Sequence, residues 1–282
     1  MTELQDRVVA RLVAAQNARD PAPLRGQDAV SDALALLREA APSPEGAIDL
    51  EALAAVCWTF WLRHQGPEDP DAQQNVMITL NTFGFLCPRV PEDARLPEPL
   101  RDDFDPADPL HEMRFAYLVS SAYGDAVVNV PDLGEPDRLA ALDRALAWSD
   151  TAHEFLPEGH EALVDLAFHG LGLQVTRFQL AADPDALAAA AHHGRVACDG
   201  LRSVGPEGAE AAAVALGTVL DAARLLGEPP LAEIERLVAA SPEGALTPEA
   251  AEGLRFLREL DAQPASWPGE MDLRVGSVIA DA

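Results

Sequence analysis

The tripeptide Pro-Glu-Gly occurs four times in this chain, at residues 44–46, 157–159, 206–208 and 242–244. A near relative, Pro91-Glu92-Asp93, falls in the one large gap, so that successive copies are 47, 66, 49 and 36 residues apart. Each copy lies between two Ala/Leu-rich stretches. A recurrence of this size marks a supersecondary unit used repeatedly, and one such unit cannot bury its apolar face without a neighbour. Stacked helical hairpins are therefore the expected architecture.

The breakers leave room for eleven helices, predicted near residues 2–18, 27–40, 47–64, 71–86, 110–129, 135–155, 158–181, 183–203, 206–226, 229–240 and 245–262. The third shows the logic. Leu50, Leu53, Val56 with Cys57, and Phe60 with Trp61 recur at three-to-four-residue steps, which makes one apolar stripe. The last opens with Thr247-Pro248-Glu249, where Thr caps free amides, Pro suits the first turn and Glu meets the positive end of the helix dipole. With alternate helices named A and B, every Pro-Glu-Gly follows a B helix and precedes an A helix. Proline stops the helix and glycine permits the reversal. Five hairpins and a closing helix result, spanning residues 1–263, with a Pro-rich insertion at 87–109 and a tail at 264–282. Coupling is expected between sequence neighbours only, so that removal of residues 1–40 leaves a helical remainder.

Composition narrows the function. Aromatics make up 5% of the chain, so Ala and Leu carry the packing. All 20 basic residues are arginine, which excludes Schiff-base lysine chemistry and a P-loop. A net charge of −27 argues against nucleic acid and against an anionic membrane surface, and fits either a basic partner or a plain solvated surface. Cys57, Cys87 and Cys198 have no motif spacing. The N-terminus lacks an apolar signal region, and no apolar run is long enough to span a bilayer. A cytoplasmic protein with reduced thiols is expected.

The chain resembles the tetratricopeptide repeat (TPR) family over roughly residues 27–262. That family places two small residues seven apart in helix B and a proline five further on; Ala145, Ala152 and Pro157 match, and Ala33, Ala40 and Pro44 match within one residue. Its helix A carries an aromatic, then Leu-Gly, then a large residue. Phe168, Leu171-Gly172 and Val175 fit this, as do Ala213, Leu216-Gly217 and Leu220 apart from the aromatic. The lengthened acidic A-to-B turns and the 87–109 insertion depart from the pattern and look like divergent repeats of large actinobacterial signalling proteins. The resemblance implies an all-α superhelical array of antiparallel hairpins, a TPR-like solenoid, whose A helices line a concave groove for a protein or peptide partner.

Candidate residues follow from that reading. Nine of the 15 aromatics lie on A helices. Among their polar neighbours, Arg63, Arg114, Tyr117, Gln174 and Arg177 are the expected partner-binding set, because arginine forks onto carboxylates. The same arginines can instead be tied to acidic residues of adjacent helices. The string Asp102-Asp103-Phe104-Asp105-Pro106-Ala107-Asp108 offers clustered carboxylates for a divalent cation, but its prolines place them in a loop and no second metal motif follows. His153, His160, His192 and His193 lack metal-ligand spacing. There is no nucleophile elbow. The expectation is a non-catalytic interaction scaffold with no cofactor and no metal. A helical sensor for a small molecule or short peptide is the alternative, and a metal-dependent helical enzyme using residues 102–108 is the third reading.

Overall fold

A computed structural model describes residues 2–65, 71–90, 97, 100, 105, 107–130, 133–202 and 204–262. Among these residues the chain is entirely helical, with eleven α-helices and no strand. They are α1 (Glu3–Ala18), α2 (Gln27–Ala40), α3 (Leu50–His64), α4 (Ala72–Leu86), α5 (Leu110–Asn129) and α6 (Glu135–Glu154), followed by α7 (Leu163–Ala181), α8 (Pro184–Leu201), α9 (Ala209–Leu226), α10 (Leu231–Ala240) and α11 (Pro248–Asp261). Short 3-10 turns occupy Ala22–Leu24 and Gly205–Gly208. The tail at 264–282 and most of the insertion lie outside the described residues.

Local chemistry sets the helix ends. Thr2, Asp49, Asp183 and Thr247 each accept a backbone N–H of the first turn of α1, α3, α8 and α11. The Pro-Glu-Gly turns are not all alike. Gly159 and Gly244 take the left-handed conformation at φ 74° and 94°. Pro206-Glu207-Gly208 instead forms a 3-10 turn that runs into α9. After Pro157 the chain turns through residues 157–162, so α7 begins at Leu163, five residues later than the sequence reading.

Consecutive helices pack antiparallel. In α3 and α4, Cys57 faces Thr79 and Arg63 faces Asn75. In α5 and α6, Ser120 donates to the Ala145 carbonyl at 2.6 Å and Phe115 meets Trp148 edge to face. Ala145 and Ala152 are fully buried, as the repeat spacing requires. Gly170, Gly194 and Gly200 mark the tight crossings of α7, α8 and α9: a Cβ there would approach the His193 ring to 2.6 Å, the Ala215 carbonyl to 2.9 Å and Val164 Cγ2 to 2.3 Å.

The core divides at α7. Residues of α1 to α6 form one apolar cluster that also takes Leu166 and Leu173 from α7. Ala167 and Leu171 of the same helix join a second cluster built from α8 to α11. One packing relation corrects the expectation of neighbour-only coupling. Helix α2 packs on α5, with two helices between them in sequence. The Tyr123 hydroxyl donates to the Arg38 carbonyl at 2.7 Å, and the Arg38 guanidinium donates back to the Ala122 carbonyl at 3.2 Å.

Candidate partner-binding face

Four of the five residues read from sequence as a partner-binding set, Arg63, Arg114, Tyr117 and Arg177, make contacts within the fold. Arg63 is buried at 5% exposure. Its guanidinium donates to the Leu24 carbonyl, reaches Asn75 Oδ1 at 3.5 Å and lies 3.9 Å from Asp71, so it ties α3 to the first 3-10 turn and to α4. It is a packing residue, not part of an open groove. Arg114 pairs with Asp108 at 2.7 Å, just before its own helix. Arg177 on α7 bridges Asp143 of α6 and Asp183, the cap of α8. Tyr117 of α5 meets His169 of α7 edge to face at 4.9 Å, and Gln174 is half-buried on α7. Tyr117 alone of the five reaches across two A helices.

Arginine is used in the same way elsewhere. Arg7 and Arg11 on α1 clamp Asp32 of α2, Arg195 of α8 meets Glu233 of α10, and Arg258 of α11 meets Glu235 of α10. The planar fork suits these clips because it grips a carboxylate with two donors. The Arg7 and Arg11 contacts hold the Asp32 carboxyl below its ordinary range, against the opposing pull of burial. With 47 acidic residues against 20 arginines, spending arginines on internal pairs leaves an acidic exterior.

The histidines gather where α5 to α8 meet. His169 Nε2 lies 2.7 Å from Ser120 Oγ. The Ser120 hydroxyl proton already goes to the Ala145 carbonyl, so Ser120 must accept from His169, which fixes the Nε2–H tautomer. His153 donates Nδ1–H to the Ser149 carbonyl at 2.8 Å, and its ring lies 5.6 Å from that of His193. Burial lowers both His169 and His193 to about 4, with the neighbouring histidines adding to the effect. These rings are neutral packing groups. Among the described residues no three His, Cys, Asp or Glu are arranged to hold a metal ion. Cys57 and Cys198 are equally inert: burial pushes Cys57 to about 12 and Cys198 to about 11. Of the aspartate string, Asp102 and Asp103 lie outside the described residues. Asp105 accepts the Ala107 N–H, and Asp108 accepts the Leu110 N–H and the Arg114 guanidinium.

The open part of the A-helix surface lies elsewhere. A glycine kept inside helix A implies close approach of a neighbour at Gly172, an expectation the structure corrects. A Cβ at Gly172 or at Gly217 would meet nothing within 4 Å. Each follows a buried leucine, Leu171 or Leu216, so the leucine enters the core and the glycine faces outward. Between α9 and α11 this produces a trough of about 170 Å³. Leu220 and Ala250 floor it, Gly217 and Gly253 contribute no side chain, and Glu249 and the Asp221–Arg224 pair, 3.6 Å apart, edge it. Phe256, 46% exposed, stands on α11 beside the Arg224 guanidinium. The signal in sequence was the recurring Leu-Gly pair; its meaning was hidden, because spacing alone does not say which of two adjacent residues points inward.

Comparison with protein-family models, with curated proteins and with solved structures finds no match for this chain. No helix among the described residues is long and apolar enough to cross a membrane.

Proposed function

We propose that the chain is a non-catalytic, TPR-like interaction module of the cytoplasm that holds a segment of a partner protein along its A-helix face. The observation that carries this reading is the pair of helix-interior glycines, Gly172 and Gly217, bare toward open space on successive A helices. A glycine inside a helix costs about 1 kcal/mol relative to alanine, and no close packing offsets that cost at either position. Leaving the backbone bare makes room for another chain. Glu249, with the acidic exterior around it, favours a partner segment with basic residues flanking an apolar anchor, while Asp221 is paired with Arg224 at 3.6 Å. The arginine-lined version of the groove has no support, since Arg63, Arg114 and Arg177 are already paired. The charge that counted against nucleic acid in the sequence counts against it here too.

The reading is tested by selecting peptides from a random library on the intact chain, then repeating the measurement on Gly217→Leu. The expected winners are basic with one large apolar residue, and Gly217→Leu loses them while melting at the wild-type temperature or higher. Acidic winners, or binding that Gly217→Leu leaves unchanged, refute it.

A further inference from the structure

We infer that the chain carries a second binding site, for a free amino acid with an aromatic or large apolar side chain. It lies at the end of the hairpins where B helices stop and A helices begin, and it owes nothing to the A-helix trough. Antiparallel packing brings the C-terminal ends of α4 and α6, the start of α5 and the first Pro-Glu-Gly turn to this edge, where they line an open cavity of about 360 Å³. That volume is near the lower end of the roughly 300–1,000 Å³ typical of small-molecule sites. It suits one compact metabolite better than a stretch of peptide.

The walls define the chemistry. Phe85 and Phe115 stack at 3.8 Å between centroids, and Trp148 meets Phe115 edge to face at 5.8 Å. All three are at least 97% buried. Phe155, 46% exposed, also lines the cavity. Phe115 and the Arg89 guanidinium cover the two faces of Phe85, so the apolar surface left for a ligand's flat or branched side chain is that of Ile48, Leu50 and the exposed Phe155, backed by the aromatic trio. The Trp148 indole N–H is buried without an acceptor, an unmet donor in a side chain that lines the cavity.

The polar groups of the lining are a matched pair. Arg89 and Glu112 face each other at 2.8 Å and keep 35% and 33% of their side-chain surface open. Arg89 is held in place beforehand, donating to the Phe85 carbonyl at 2.9 Å with its guanidinium 3.6 Å over the Phe85 ring. A ligand bearing a single charge can replace only half of this pair and strands the other half. A zwitterion replaces both: its carboxylate takes Arg89, its ammonium takes Glu112, and its side chain lies against Ile48, Leu50 and Phe155. Fixing Arg89 in advance lowers the ordering cost of that exchange.

Calorimetric titration of the full chain with L-phenylalanine, N-acetyl-L-phenylalanine and L-phenylalaninamide separates the possibilities. The capped compounds keep the ring and one charge each, and stand in for a peptide's C-terminus and N-terminus. The free amino acid is expected to bind at least about tenfold more tightly than either, since each cap removes one charge-assisted contact. Glu112→Gln should weaken phenylalanine while sparing the acetylated compound, and Arg89→Gln should weaken phenylalanine while sparing the amide. Trp148→Phe, which keeps a ring and removes the N–H, tests the wall; circular dichroism of each variant reports its fold. Equal affinity for free and capped compounds overturns the proposal in favour of a peptide-end site. No heat with phenylalanine, tryptophan or leucine up to about 10 mM overturns it outright. Neither result bears on the A-helix trough.

Discussion

The first six helices and the last five are built from the same antiparallel hairpin, yet they pack differently. In the N-terminal region α5 lies at the centre, touching α2, α4, α6 and α7. Large aromatics fill the core there: Phe60, Phe83 and Phe115 are essentially inaccessible. In the C-terminal region the helices meet through small residues, with Ala197, Ala212, Ala215 and Ala222 fully buried and contacts confined to helices one or two apart in the chain. The difference traces to one connection. The other B-to-A links cover residues 41–49, 155–162, 202–208 and 241–247, whereas α4 and α5 are separated by residues 87–109. A long link frees the next helix to seat on α2 as well as on α4, and its closure entropy grows only slowly with length. An insertion in a repeat can thus turn a local stack into a shared core.

Truncation is the most severe way to break that comparison. Removing residues 1–41 takes away α2, strips the partner carbonyls from Tyr123 and opens the cluster around Phe115. The expected result is loss of the cooperative thermal transition. Removing residues 227–282 takes the tail together with α10 and α11, and the core contacts of these two helices lie with α8 and α9. That protein should stay helical and melt cooperatively at a lower temperature. Circular dichroism melts of the two truncations decide the matter: equal outcomes would erase the distinction between the regions.

Acid should loosen the seam between them. His169 and His193 stand where α7 meets α5 and α8, and both are lowered from 6.5 to about 4, chiefly by burial. An unfolded histidine takes up its proton near 6.5, so between that value and about 4 the unfolded chain binds more protons than the folded one. Their stabilisation is complete above about pH 6.5 and is lost as pH falls toward 4. The loss is about 1–3 kcal/mol for His169 and less for the more open His193, whose environment solvent screens. Asp125 and Asp150, pushed up by burial, return part of it on acidification. Urea midpoints measured from pH 7 to 4 should fall, and His169→Gln should flatten the slope. A slope that the variant leaves unchanged would place the acid sensitivity elsewhere.

How much of this was legible follows from what local sequence encodes. Helix positions and hairpin order were readable, because Pro, Gly and the spacing of Leu and Ala act within a few residues. Thr247, Asp49 and Asp183 announce their helices for the same reason. The α2–α5 seat was not, since nothing local in Tyr123 or Arg38 names a partner more than eighty residues away. The candidate site was hardest. Arg63, Arg114 and Arg177 were rightly placed on A helices, but arginine is equally suited to a ligand and to an internal clip, and only the position of Asp71, Asp108, Asp143 and Asp183 in space decides between them. The aromatic cavity was invisible for a related reason: Phe85, Phe115 and Trp148 come from three helices, and each alone reads as core.

Two glycines on α7 give the finest test of inward against outward, because they are two residues apart. Gly170 lies under the His193 ring, which a Cβ would approach to 2.6 Å, while Gly172 faces open space. Helix propensity favours alanine at both positions by about 1 kcal/mol. At Gly172 nothing opposes that gain, so Gly172→Ala should raise stability by up to about 1 kcal/mol. At Gly170 the new methyl must displace the half-buried His193 imidazole at the seam, an overpacking cost of about 1–3 kcal/mol that outweighs the propensity gain. Gly170→Ala should therefore melt lower than wild type and Gly172→Ala higher. Two shifts of the same sign would mean that α7 is rotated from the orientation that puts Leu171 in the core and leaves the A-helix face bare.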